Sequence, residues 1–186
     1  MLRNRDREKL VQAMLFFAHN TLYLGKIKLF KLLYLLDFDH FRETGRSVTG
    51  VEYRAWKLGP VPFELVQEWD ELGPDLDAAV SIQPERVIDF ERYAVKPKQP
   101  FDSSHFTKRE LRLMNALAAK HRNTMSATMI DVTHAENGAW EKVWAKGAGN
   151  DSVIPYELSV ADDDPHRDAV LAAAAEHHAI CAANKE

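Results

Sequence analysis

Residues 26–43 leave this chain few choices of fold, because they read as a helix without a wide polar face. Leu29, Leu32, Leu33, Leu36 and His40 form one stripe at helical spacing, and Ile27, Phe30, Tyr34, Phe38 and Phe41 form a second. Lys28, Lys31, Asp39 and Arg42 make a narrow polar line, interrupted by Leu35. A helix that is apolar on most sides is a central, buried one, with other elements packed around it. The two lysines then become its expected solvent edge. Gly45 stands where a left-handed residue commonly stops a helix.

The flanking segments supply the surroundings. Residues 3–19 read as a helix with Leu10, Met14 and Phe17 inward and a charged, solvated start. The content of Val51–Trp56 favours a strand, which Gly59-Pro60 is expected to break. Pro60 and Pro62 then open a helix running to about Leu72, ended by Gly73-Pro74. Residues 86–95 read as a second strand, able to pair with 50–57 in a small antiparallel sheet. Thr107 and Glu110 have capping-box spacing at the start of a helix that ends near His121. Short helices follow at about 126–134 and 139–145, and 154–160 reads as extended. Pro165 to Cys181 is an alanine-rich helix preceded by three aspartates, which suit the positive end of a helix dipole. The expected fold class is mainly α with a small antiparallel β-sheet (α+β), built around the central helix at about 26–43.

A length of 186 residues suits one domain, or one domain with an extension. A single cysteine, Cys181, cannot form an internal disulfide or a multi-cysteine zinc site, and fits a reducing compartment. No apolar run approaches the ~18 residues of a membrane span, so no membrane role is expected. Net charge is −4, which gives no sign of nucleic-acid binding. The charge is unevenly spread: residues 1–57 hold 11 basic and 6 acidic groups, whereas residues 147–186 hold 2 and 8. Such polarity suits a charged protein partner, or cancels within the fold.

The search for chemistry finds no catalytic constellation. Phosphate-binding glycine loops and nucleophile elbows are absent. Asp37, Asp39 and His40 do not share one helical face, His177 and His178 point in different directions, and His134 sits near a helix end where a structural role suffices. Cys181 has no local base in its helix. No catalytic residue, metal ligand or cofactor is therefore expected. Residues 107–134 have the length of a helix-turn-helix, but the second half is acidic or apolar rather than basic, which counts against nucleic acid as a partner.

Four blocks in order carry a resemblance. They are Lys28-Leu29-Phe30-Lys31-Leu32-Leu33-Tyr34; Gly45-Arg46 followed by Tyr53-Arg54-Ala55-Trp56-Lys57-Leu58-Gly59-Pro60-Val61-Pro62; Thr133-His134 with Trp140; and Ile154-Pro155-Tyr156-Glu157. Together they resemble the Panacea domain, the SocA-like antitoxin family, over roughly residues 8–160. The sequence departs where many members place Gln (here Phe30) and Pro (here Ala139). The resemblance implies a non-enzymatic antitoxin in the bacterial cytoplasm that neutralises a cognate protein toxin by binding it. In the SocA-type branch the antitoxin is a proteolytic adaptor that delivers the toxin to ClpXP. A DNA-binding autoregulator of its own operon and an uncharacterised enzyme are the rival classes.

On this reading residues 1–160 are the Panacea domain. Residues 161–186 are an acidic linker and a C-terminal helix, expected to pack on the same domain. The expected partner-binding residues are Lys28, Lys31, Tyr34, Trp56, Lys57, Gly59 and Pro60. Trp56 reads first as core beside a strand and second as a partly open platform, since tryptophan is enriched in binding hot spots. Lys57 to Pro60 read as a structural turn on which binding groups can also gather. Tyr34 is expected to be buried with its hydroxyl near a polar partner.

Overall fold

The computed structural model of the chain describes residues 4–87, 90–135 and 138–183. Its first two helices are α1 (Asn4–Asn20) and α2 (Lys26–Thr44). The strands β1 (Tyr53–Trp56) and β2 (Gly59–Pro62) follow, then α3 (Phe63–Gln67) and α4 (Pro74–Ala79). After the strands β3 (Val80–Val87) and β4 (Phe90–Pro97) come α5 (Lys108–Lys120), α6 (Ser126–Ala135), α7 (Ala139–Trp144) and α8 (Arg167–Ala183). The class is mainly helical α+β, as the sequence implied.

Helix α2 is the axis of the molecule. Thirteen of its 19 residues are buried, and α1, α5, α6, α8 and β2 all pack against it. It ends at Gly45, whose φ of 71° lets its amide bond back to the Phe41 carbonyl at 2.7 Å. The Asp37 carboxyl group sits on α2 with no exposure. It accepts the amides of Val48 and Thr49 at 2.7 Å each, the Thr49 hydroxyl at 2.5 Å and the Tyr53 hydroxyl at 2.8 Å. One side chain thereby ties α2 to the following loop and to β1. Burial pushes this carboxyl above the ordinary aspartate range, against the pull of its hydrogen bonds.

The strands pair differently from expectation. β1 pairs with β2 as a hairpin and β3 pairs with β4 as a second, each sheet having two strands. Gly59, at φ 98°, closes the first hairpin after the two-residue turn Lys57-Leu58, so Gly59-Pro60 reverses the chain rather than breaking it. Prolines are tolerated in β2 because it is an edge strand. The predicted helix from Pro60 to Leu72 shrinks to α3, and Pro74 opens α4 instead of ending a helix. Tyr156–Ser159 is a turn of 3₁₀ helix rather than extended chain. The start of α1 is also less solvated than its charges suggest: Arg7 pairs with Glu68 and Asp75, and Lys9 meets Glu110 at 2.6 Å.

The predicted capping box is present, with Thr107 accepting from the Glu110 amide and Glu110 accepting from the Thr107 amide. Helix α8 lies on the end of α2, where Val170 and Ala174 pack with Phe41 and Val160. A Cβ at position 45 would stand 2.5 Å from the Val170 carbonyl, so Gly45 also permits this close approach.

Candidate protein-binding site

The β1–β2 hairpin carries one apolar face inward and one outward. Period-two alternation buries Tyr53 and Ala55 and turns Arg54 and Trp56 to the other side. Trp56 is 38% exposed and Leu58 52% exposed, so the open-platform reading of Trp56 replaces the core reading. Its indole NH donates to Asp151 at 2.9 Å, which fixes the ring while leaving it accessible. The Arg54 guanidinium lies over the Phe63 ring at 3.4 Å and pairs with Glu52 and Asp151. Trp56, Lys57, Phe63, Asn150 and Asp151 line a shallow recess of about 460 Å³.

The hairpin is held from behind by buried polar groups. Lys31 is 2% exposed and donates to the Pro60 carbonyl at 2.8 Å. Burial lowers its pKa to about 7. The Trp140 indole NH donates to the Trp56 carbonyl at 3.0 Å. His134 stacks on Trp140, with centroids 3.7 Å apart and planes 2° from parallel. Burial, followed by the Lys31 charge, lowers the His134 pKa. A Cβ on Gly59 would come within 2.7 Å of Lys31 Nζ and 3.2 Å of Thr133 Oγ1, so a larger residue would have to displace the lysine end in addition to straining its φ. On the far side, residues 151–154 run beside β1, bonded through Ala55 and Tyr53 at 2.8–2.9 Å.

The seven sequence-predicted residues thus divide. Trp56 and Lys57 are exposed at the tip, whereas Lys31, Gly59 and Pro60 lie beneath it. Lys28 and Lys31 are not the solvent edge of α2. Lys28 is fully buried and donates to the carbonyls of Leu22 at 2.7 Å and Arg122 at 3.0 Å, bridging two turns. Burial lowers its pKa to about 8, with the Arg92 charge adding to the effect. Their acceptors are backbone carbonyls outside α2, at Leu22, Pro60 and Arg122, so helical spacing could not disclose these roles. Tyr34 is buried against Phe38 and Tyr53.

Sequence reasoning missed Asp151, Phe63 and Leu58. The parity of β1 was a usable signal for the exposure of Trp56, because it opposes Tyr53 and Ala55. The Asp151 contact had no local signal. Among the described residues, no group of three or more His, Cys, Asp or Glu side chains is placed to hold a metal ion. No helix among them is long and apolar enough to cross a membrane.

An exposed aromatic thus stands on a short hairpin that is backed by a buried helix. The family model for the SocA-like antitoxins, the Panacea domain, matches residues 29–141. The chain belongs to that family. No curated protein and no solved structure matches it.

Proposed function

We propose that this chain neutralises a protein toxin by binding it directly, with the β1–β2 hairpin as the docking surface. The observation that carries this reading is the exposed Trp56–Leu58 tip on a backbone held by Lys31 and Trp140. Rigid aromatic anchors with accessible faces are the usual source of binding energy in protein interfaces. Lys57 adds positive charge beside the aromatic, whereas the Arg54 charge is taken up by Glu52 and Asp151. Lys31, Gly59 and Pro60 act as positioning residues, while Lys28 and Tyr34 act through the interior. Membership in an antitoxin family favours binding over catalysis. Residues 1–160 are read as the toxin-binding domain in the bacterial cytoplasm and 161–186 as an appended acidic segment. The finer reading is delivery of the bound toxin to ClpXP, which requires separate contacts for toxin and protease.

The test begins with the protein encoded by the neighbouring reading frame, purified with this chain. Direct association is expected, and Trp56→Ala should weaken it by roughly 30-fold, the scale of a hot spot, with unchanged thermal stability. Equal affinity in Trp56→Ala and Leu58→Asp would remove the hairpin from the interface, and no association at any salt concentration would remove direct binding. Toxin half-life is then compared with and without this chain, in cells with and without ClpXP. Delivery predicts rapid loss only when both are present, and equal lifetimes with intact protection leave masking alone.

A further inference from the structure

A cavity of about 690 Å³ opens where the start of α1, the end of α2, the start of α5 and the end of α8 meet. Its lining shares no residue with the hairpin, and its chemistry is independent of the antitoxin reading. Arg5, Lys9, Arg46 and Arg109 line it against Asp6 and Glu110, an excess of two positive charges in a chain of net charge −4.

These cations are not equivalent. Lys9 and Glu110 form a nearly buried pair and cancel. Arg109 turns to Glu43 at 3.1 Å in an exposed contact. Arg5 and Arg46 have no side-chain hydrogen bond or ion pair among the described residues. The backbone that carries Arg46 is nevertheless fixed. His40 Nδ1 donates to its carbonyl at 2.7 Å, and its amide donates to Thr44 Oγ1 at 3.3 Å. A guanidinium presents a planar fork that matches phosphate oxygens two at a time. Ligand cavities span about 300–1,000 Å³, and this one is far larger than a single phosphate needs.

We infer that this cavity binds a small organic phosphate carrying at least two negative charges, with Arg5 and Arg46 as its principal contacts. The charged groups recognise the phosphates, and the remaining volume holds the organic part. Inorganic pyrophosphate, ATP and adenosine separate these contributions.

The experiment is calorimetric titration of the full chain at low salt, with thermal unfolding in parallel. Pyrophosphate and ATP should each bind saturably and raise the melting temperature, and adenosine should do neither. Arg5→Gln and Arg46→Gln should each weaken ATP binding about tenfold, as loss of a charge-assisted contact does. Arg112→Gln, an arginine outside the cavity, should leave binding unchanged. Saturable binding absent for both phosphates overturns the inference. So does equal weakening by Arg112→Gln, which would mark a diffuse charge effect, and so does competition by adenosine, which would mark recognition of the nucleoside. Unfolding of the two cavity variants without ligand, matched to that of the unsubstituted chain, shows that the loss is one of contact.

Discussion

Helices α2 and α8 are similar in length, 19 and 17 residues, and opposite in what they bury. α2 hides Lys28, Lys31 and Asp37 along with its apolar residues. α8 is richer in alanine and poorer in charge, yet only Val170 and Ala174 are buried among its residues. Low charge and alanine content therefore did not make a core helix; the large apolar side chains on most sides of α2 did. Position completes this: α2 is surrounded by elements that bring carbonyls, amides and hydroxyls to its polar groups, and α8 packs on the end of α2 through Val170 and Ala174. The family match runs from 29 to 141, so it takes in nearly all of α2 and none of α8.

The comparison can be broken most forcefully at Asp37. Asp37→Ala strands the amides of Val48 and Thr49 and the hydroxyl of Tyr53, and should cost about 3–5 kcal/mol in urea unfolding. A loss of the size seen for surface substitutions would show that the network is not structural. Leu33→Ala comes next, at about 2–5 kcal/mol for a fully buried leucine. A result near zero would displace α2 from the centre.

Lys31 tests the same helix through pH. Its pKa is lowered from 10.5 to about 7. Between those values the unfolded chain holds more protons than the folded one, so stability rises as pH rises through this window and the penalty is full below it. Lys31→Met should flatten the rise, removing up to about 5 kcal/mol of it, while leaving the share that Lys28 contributes above about 8. Urea midpoints across the window give the slopes, and identical slopes would place the buried charge elsewhere. The smallest effect is expected on α8. Val170→Ala should cost about 1 kcal/mol and show as faster proteolysis of the last helix, with the core unchanged. Global unfolding at lower urea would instead make α8 part of the core.

Much of the helical frame was legible in the sequence. The stripes of α2, the stop at Gly45 and the capping box of α5 are local signals, and each was found where its residues predicted. The strands were less so. Gly59-Pro60 carries the same letters whether it breaks a strand or turns a hairpin, and the choice depends on the Lys31 ammonium and Thr133 packed behind it. Lys28 and Lys31 sit three apart beside apolar stripes, which reads as a solvent edge when the bonded carbonyls belong to Leu22, Arg122 and Pro60. Of the candidate site, the sequence singled out Trp56 and the Lys57–Pro60 turn, but it read a strand, a break and a helix where the chain forms a hairpin. It did not assign the inner and outer halves, because those depend on which groups the rest of the chain brings to each side.

The two prolines of β2 have a further consequence. Pro60 and Pro62 remove two of the four amide donors from that strand, and residues 151–154 already occupy the other flank of β1. The little sheet is therefore sealed against growth in both directions. A partner cannot seat itself by adding a strand, and a second copy cannot begin a stack there. On the proposed docking role, a partner would be chosen by side-chain shape and charge, and exchanging a few exposed residues would change that choice while the backbone beneath them stays as it is.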